Sequence, residues 1–241
     1  MNILLISGSP HPEGTTSVLT KAFTKGAESS GHEVYHFNAG QKEVHPCIAC
    51  ERCHSAVSAC VFRDDFDEMR DKLIEADAVV FASPIYYYGL TAQLKAVIDR
   101  FYAINEQLRT AKKTALLMAC GDNTMESAEC AASPFYGMAD YLGWEIADVI
   151  AAKGCYTAED VINTEYPDQA YELGRTILGV PQPKENADAA GSLEELVARF
   201  ANFSDLADEI IRETQEKEGF LEGYNAAARK ADDKAEPEAA V

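Results

Sequence analysis

Four of the seven cysteines fall in one short stretch, Cys47-x2-Cys50-x2-Cys53-x6-Cys60. Successive spacings of two let a tight loop wrap an iron–sulfur cubane, as ferredoxin-type runs do. The final spacing departs from such a run, and Pro46 precedes the first cysteine where those runs place a proline after the last. Four thiolates also suit a closed tetrahedral zinc site, although zinc ribbons usually separate their CxxC pairs. The third alternative is an empty or redox-active thiol loop. An odd cysteine total does not read as a disulfide framework. Cys120, Cys130 and Cys155 read as small buried hydrophobes. His45 and His54 flank the cysteines and, with His11, His32 and His36, read as surface residues.

Hydroxyls form the second chemical group. Ser9, Thr15, Thr16 and Ser17 surround the point where the apolar run Ile3–Ile6 gives way, past Gly8, to a helical pattern carrying Val18, Leu19, Ala22 and Phe23. A helix start offers unpaired N–H groups and the positive end of its dipole, and these hold a phosphate without Lys or Arg. GxGxxG is absent, and Thr15 stands where a GxxxxGK[ST] loop needs its lysine, so a monophosphate ester is expected rather than a triphosphate. An ordinary strand-to-helix connection with capping hydroxyls fits the same residues. Third comes Ser83-Pro84-Ile85-Tyr86-Tyr87-Tyr88-Gly89, whose aromatics suit a flat conjugated ring or, alternatively, a core or interface. No Ser-His-Asp or paired-carboxylate arrangement stands out.

The elements that must position these groups alternate. Strands are expected at Ile3–Ile6, His32–Phe37, Ala78–Ala82, Lys113–Cys120 and Trp144–Ala151. Helices are expected over Thr16–Ser29, from about Asp64 with Asp65 and Glu68 as a cap, along Leu94–Phe101, late within Ser127–Leu142 because of Pro134, and over Pro167–Leu178. Five alternations predict an α/β fold with a parallel sheet, helices on both faces and right-handed crossovers. The order 2-1-3-4-5 brings the Ser9 loop, the Pro84–Tyr88 loop and the Gly121-Asp122-Asn123 turn to one edge. The long segment 38–63 that holds the cysteines is expected to be irregular and functional.

The expected organisation is a domain over 1–179, a linker over 180–191 with Pro181 and Pro183, a helical extension over 192–224 opened by Ser192 and Glu195, and a flexible tail over 225–241. The extension's apolar face would pack back on the domain or cross to a second subunit. The formal net charge of −19, from 21 basic and 40 acidic residues, argues against nucleic acid and anionic membranes as partners. No apolar run reaches the length of a membrane span, and the start reads as a strand rather than a signal peptide, so a cytoplasmic protein is expected.

Taken in order, GSPHPEGTTSVL, ASPIYYYGLTAQLKAVIDR and the strand ending in Cys120-Gly121 resemble the flavodoxin-like NAD(P)H-dependent FMN reductases and the related iron–sulfur flavoproteins. The resemblance covers about residues 1–178 and implies a flavodoxin-like three-layer sandwich. It implies that Ser9, Thr15, Thr16 and Ser17 hold the FMN phosphate. Pro84, Ile85, Tyr86 and Tyr87 would hold the isoalloxazine, with Gly121 and Asp122 near its far side. Many relatives carry Asn where this chain has Thr15. The cysteine run resembles the compact motif of the iron–sulfur flavoproteins and implies a [4Fe–4S] site at Cys47, Cys50, Cys53 and Cys60. The implied activity passes electrons from NAD(P)H, or a reduced carrier, through FMN to a small acceptor such as a quinone, nitro compound or flavin. The alternative is a relay between redox protein partners. The resemblance also implies a homo-oligomer, since this kind of site commonly sits at a dimer interface.

Overall fold

The computed structural model describes residues 1–55 and 59–179. The expected linker, helical extension and tail lie outside these residues. Five strands, β1 (Asn2–Ser7), β2 (Glu33–Asn38), β3 (Ala78–Pro84), β4 (Lys113–Ala119) and β5 (Glu145–Ala152), form one parallel sheet in the order β2-β1-β3-β4-β5. The helices are α1 (Thr15–Ser29), α2 (Phe66–Glu75), α3 (Ala92–Asp99), α4 (Asn105–Leu108), α5 (Met125–Leu142), α6 (Ala158–Ile162) and α7 (Tyr166–Thr176).

Both sheet faces are covered, which is why the central strands read as unbroken apolar runs rather than alternating ones. Leu4, Ile6, Val79, Phe81, Leu116 and Met118 join one core with residues of α2, α3 and α5, including Met69, Leu94, Val97 and Phe135. Residues of opposite parity, such as Leu5 and Val80, are equally buried and by alternation face the other way. There α1 and α7 pack on each other and against the sheet.

Two local expectations are corrected. Helix α5 begins at Met125 and runs straight through Pro134. The ring removes one backbone donor, but Ala131, Ala132, Phe135, Ala139 and Leu142 bury the helix face. Burying Phe135 alone is worth about 2–3 kcal/mol, enough to offset much of the proline penalty. The Asp65–Glu68 cap of α2 does not form: Asp64 Oδ1 accepts the Phe66 amide at 3.2 Å, and Asp65 Oδ2 accepts the Glu43 amide at 2.8 Å instead. The short α6 was not anticipated, although Thr157 and Asp160 form a reciprocal capping box that is legible in the sequence.

Register fixes the candidate site. Ser7 pairs with Ala82, Ala82 with Leu117 and Pro84 with Ala119, so β1, β3 and β4 end on one edge. Beyond it, the Gly8 amide donates to Ala82 O at 2.8 Å and the Ile85 amide to Ala119 O at 2.9 Å.

Candidate functional site

The loop between β1 and α1 is clamped from two sides. Thr91 Oγ1 donates to Gly8 O at 2.8 Å, and the Thr91 amide donates to Ser83 Oγ at 3.0 Å. A Cβ on Gly8 would overlap Thr91 Oγ1, and one on Gly40 would overlap Ser9 O, so this close approach requires glycine at both places. Gln41 Nε2 adds a hydrogen bond to Pro10 O at 3.0 Å. The four hydroxyls singled out in the sequence do gather here, but they are not equivalent. Ser9 Oγ donates to His11 O at 3.0 Å and Ser17 Oγ to Gly14 O at 2.7 Å. Thr16 Oγ1 is buried and has no partner among the described residues. Thr15 opens α1, which has neither a side-chain cap nor an acidic residue in its first turn. An uncapped helix N-terminus beside a buried, unspent hydroxyl fits a phosphate ester: the donors are in place and no described residue answers Thr16.

After β3 the chain makes a two-residue turn. Tyr86 and Gly89 exchange both backbone hydrogen bonds, at 3.0 and 3.1 Å. Tyr87 and Tyr88 take φ values of +48° and +62°. Such turns normally carry Asn or Gly, because a side chain is strained there. The alternative of a core role for the tyrosines is excluded: all three are exposed, Tyr87 to 102%. Strained backbone thus presents aromatic surface at the sheet edge, which fits a ligand or an interface with another chain.

The third segment follows β4. A Cβ on Gly121 would run into the ring of Tyr156, which leaves Tyr156 against that backbone while 83% exposed. Tyr156 was missed in the sequence, although an aromatic just past the end of β5 is the same signal as the tyrosines past β3. Asp122 accepts from the Thr124 amide at 3.0 Å, from Thr124 Oγ1 at 2.7 Å and from Ser127 Oγ. These bonds, with Ser127 first, pull its carboxyl down to about 2. Its side chain is thereby committed to the start of α5.

The cysteine segment forms a separate concavity. Cys47, Cys50, Cys53 and Cys60 all line one open, shallow cavity, with Glu51, Phe62, Arg100 and Tyr102 in its wall. All four thiols are free, and burial pushes Cys53 upward. A cavity ringed by four thiols and a buried guanidinium fits an anionic thiolate-ligated centre by donor type. Even so, among the described residues no three His, Cys, Asp or Glu side chains are already gathered as a metal site. Both ends of the segment meet at Arg100. Its Nη1 donates to His45 O at 3.0 Å and to Asp64 Oδ2 at 2.7 Å, while His45 stacks on Phe62 with ring centroids 4.8 Å apart. Burial alone would raise Asp64, but hydrogen bonds from Arg100 and from the His45 and Phe66 amides outweigh it and hold the carboxyl low. His54 is anchored through Nε2 to Tyr102 O at 3.1 Å.

Two further sequence expectations fail. Cys130 is exposed rather than buried, because it lies on the outer side of α5. His32 is buried rather than at the surface, and burial lowers its pKa.

Comparison with known proteins adds three findings. The family profile described as NADPH-dependent FMN reductase matches residues 1–145, more than half of the chain. An iron–sulfur flavoprotein of Methanocaldococcus jannaschii is 35% identical over 121 residues, which are 50% of this chain and 62% of that one. Another of that name from Archaeoglobus fulgidus is 42% identical over 100 residues, 42% of this chain and 45% of that one. The chain thus spans about half the length of the curated relatives it matches. Among solved structures, an NAD(P)H:quinone oxidoreductase from Methanothermobacter marburgensis superposes with a TM-score of 0.60 at 19% identity, over 73% of this chain and 95% of that one. At that identity the likeness establishes the shared fold.

Proposed function

Because the chain belongs to the NADPH-dependent FMN reductase family, we propose that it is an FMN-dependent oxidoreductase. It takes reducing equivalents from NAD(P)H, or from a reduced carrier, and delivers them to a small acceptor such as a quinone, a nitro compound or free flavin. The observation that carries this reading is the convergence of three loops on one sheet edge, with the unpartnered Thr16 hydroxyl at the N-terminus of α1.

In this reading Thr15, Thr16, Ser17 and Ser9 hold the FMN phosphate. Pro84, Ile85, Tyr86 and Tyr87 hold the isoalloxazine, and the Gly121–Asp122 backbone borders it. Bound FMN would supply hydride acceptance at N5 and onward electron transfer. The protein positions and shields: the Thr91 and Ser83 hydrogen bonds fix the phosphate loop relative to the tyrosine loop, and Tyr86–Tyr88 supply apolar surface that excludes water.

A second reading has its own support. The four cysteines share one cavity, and the two relatives described are named iron–sulfur flavoproteins. Cys47, Cys50, Cys53 and Cys60 would then hold a [4Fe–4S] cluster, and the chain would relay electrons between protein partners, its acidic charge favouring a basic one.

An anaerobic absorption spectrum with an iron and acid-labile sulfide assay tests both readings. Flavin bands and NADPH oxidation without iron support the plain reductase and return the cysteines to thiol chemistry. Flavin bands with about four irons per chain support the cluster site. Protein that stays colourless after incubation with FMN overturns the flavin reading.

A further inference from the structure

Arg100 is 1% exposed, yet its charge is only partly answered. Nη1 makes both of its hydrogen bonds, to Asp64 and His45. The guanidinium carbon lies 4.8 Å from the centroid of Phe66 and 5.3 Å from that of Phe62. Nε and Nη2 are buried with no partner among the described residues. The same side chain lines the cavity ringed by the four cysteines. Holding the two ends of the segment together needs Nη1 alone. It does not explain a buried cation with two idle donor nitrogens, which costs free energy unless something takes them up. The cavity's own acid, Glu51, is engaged by the Tyr102 hydroxyl at 2.9 Å.

We propose that Arg100 is a positioning residue for an anionic centre in the cysteine cavity, its buried guanidinium supplying positive charge beside the cavity that favours the centre's reduced state. This rests on reading Cys47, Cys50, Cys53 and Cys60 as an iron–sulfur site. When such a centre takes one electron from a chemical reductant, its charge becomes one unit more negative, and no bond forms or breaks. A buried cation favours that state, and the Asp64 carboxylate opposes it.

The test is anaerobic reconstitution of the full chain with iron and sulfide, followed by iron analysis and a spectroscopic reductive titration. Wild type should hold about four irons per chain. Arg100→Met should lower the reduction equilibrium constant on the order of tenfold, about 59 mV for one electron. Arg100→Lys should restore part of it. Asp64→Asn should shift it the opposite way. That opposition separates electrostatics from scaffolding, since damage to the loop would move both variants alike or strip iron from both. A loaded Arg100→Met with an unmoved potential, or variants shifted in the same direction, overturns the role of Arg100 while leaving the cluster site standing. If Arg100→Met holds no iron, Asp64→Asn decides: an upward shift supports the role, and any other result rejects it. Wild type that takes up neither iron nor sulfide refutes the cluster reading itself, and the role of Arg100 with it.

Discussion

Thr16 and Asp122 show opposite uses of a polar side chain at one rim. Thr16 buries a hydroxyl with no partner among the described residues, so in flavin-free protein Thr16→Val should leave the melting temperature unchanged or slightly higher. If that hydroxyl serves the phosphate, the same change should weaken FMN binding at least tenfold, because a hydrogen bond to a charged group is worth about 1.5–3 kcal/mol. Flavin fluorescence titration reads this, and an unchanged Kd would remove Thr16 from the phosphate site. Asp122 is already satisfied within the protein. Its pKa is depressed in the fold from about 3.8 to about 2. It therefore contributes stability that is complete above its unfolded value and is lost as pH falls through that window. Asp122→Asn should melt below wild type at neutral pH, and the gap should close between about pH 4 and pH 2. A gap that stays constant with pH would show that the ionised carboxylate is not what stabilises the turn. Both residues were found in the sequence as rim hydroxyl and rim acid. Which one was already spent depended on neighbours such as Ser127, which no spacing rule could weigh.

At the scale of elements, the turn after β3 carries strain that a glycine would not. Tyr87 is fully exposed at φ +48°, so Tyr87→Gly removes no packing and relieves a left-handed conformation costing about 1–2 kcal/mol, offset in part by the entropy of glycine. We expect a net gain of up to about 1 kcal/mol in the flavin-free protein together with weaker FMN binding. Chemical denaturation paired with the flavin titration tests the trade, and loss of stability would show that the ring is held by contacts the turn needs. The helices teach a related lesson. Pro134 argued for a late start to α5, yet a buried face of alanines with Phe135 carries the helix through it. Local propensity lost there to tertiary burial, as it generally does when an amphipathic face is long enough.

Across the whole molecule the net charge of −19 works against an anionic electron donor. If NADPH is the donor, kcat/KM should rise as ionic strength increases from about 0.01 M to about 0.15 M, because screening shortens the Debye length from about 30 Å to about 8 Å. A fall in kcat/KM over that range would reveal a cationic donor site that outweighs the global charge. Among the described residues no helix is long and apolar enough to cross a membrane. The sequence by itself determined the alternation of strands and helices and the chemical types gathered at the rim, which follow from local periodicity and residue type, and the phosphate loop placed after the first strand pointed to the strand order. Only the tertiary structure decided which groups are satisfied and which are idle. Asp122 is consumed by α5, Tyr156 reaches Gly121 from the loop after β5, and Arg100, 40 residues beyond Cys60, enters the wall of the cysteine cavity. Those relations come from contacts between residues distant in the chain, where burial and hydrogen-bond competition set the outcome and sequence spacing carries no signal.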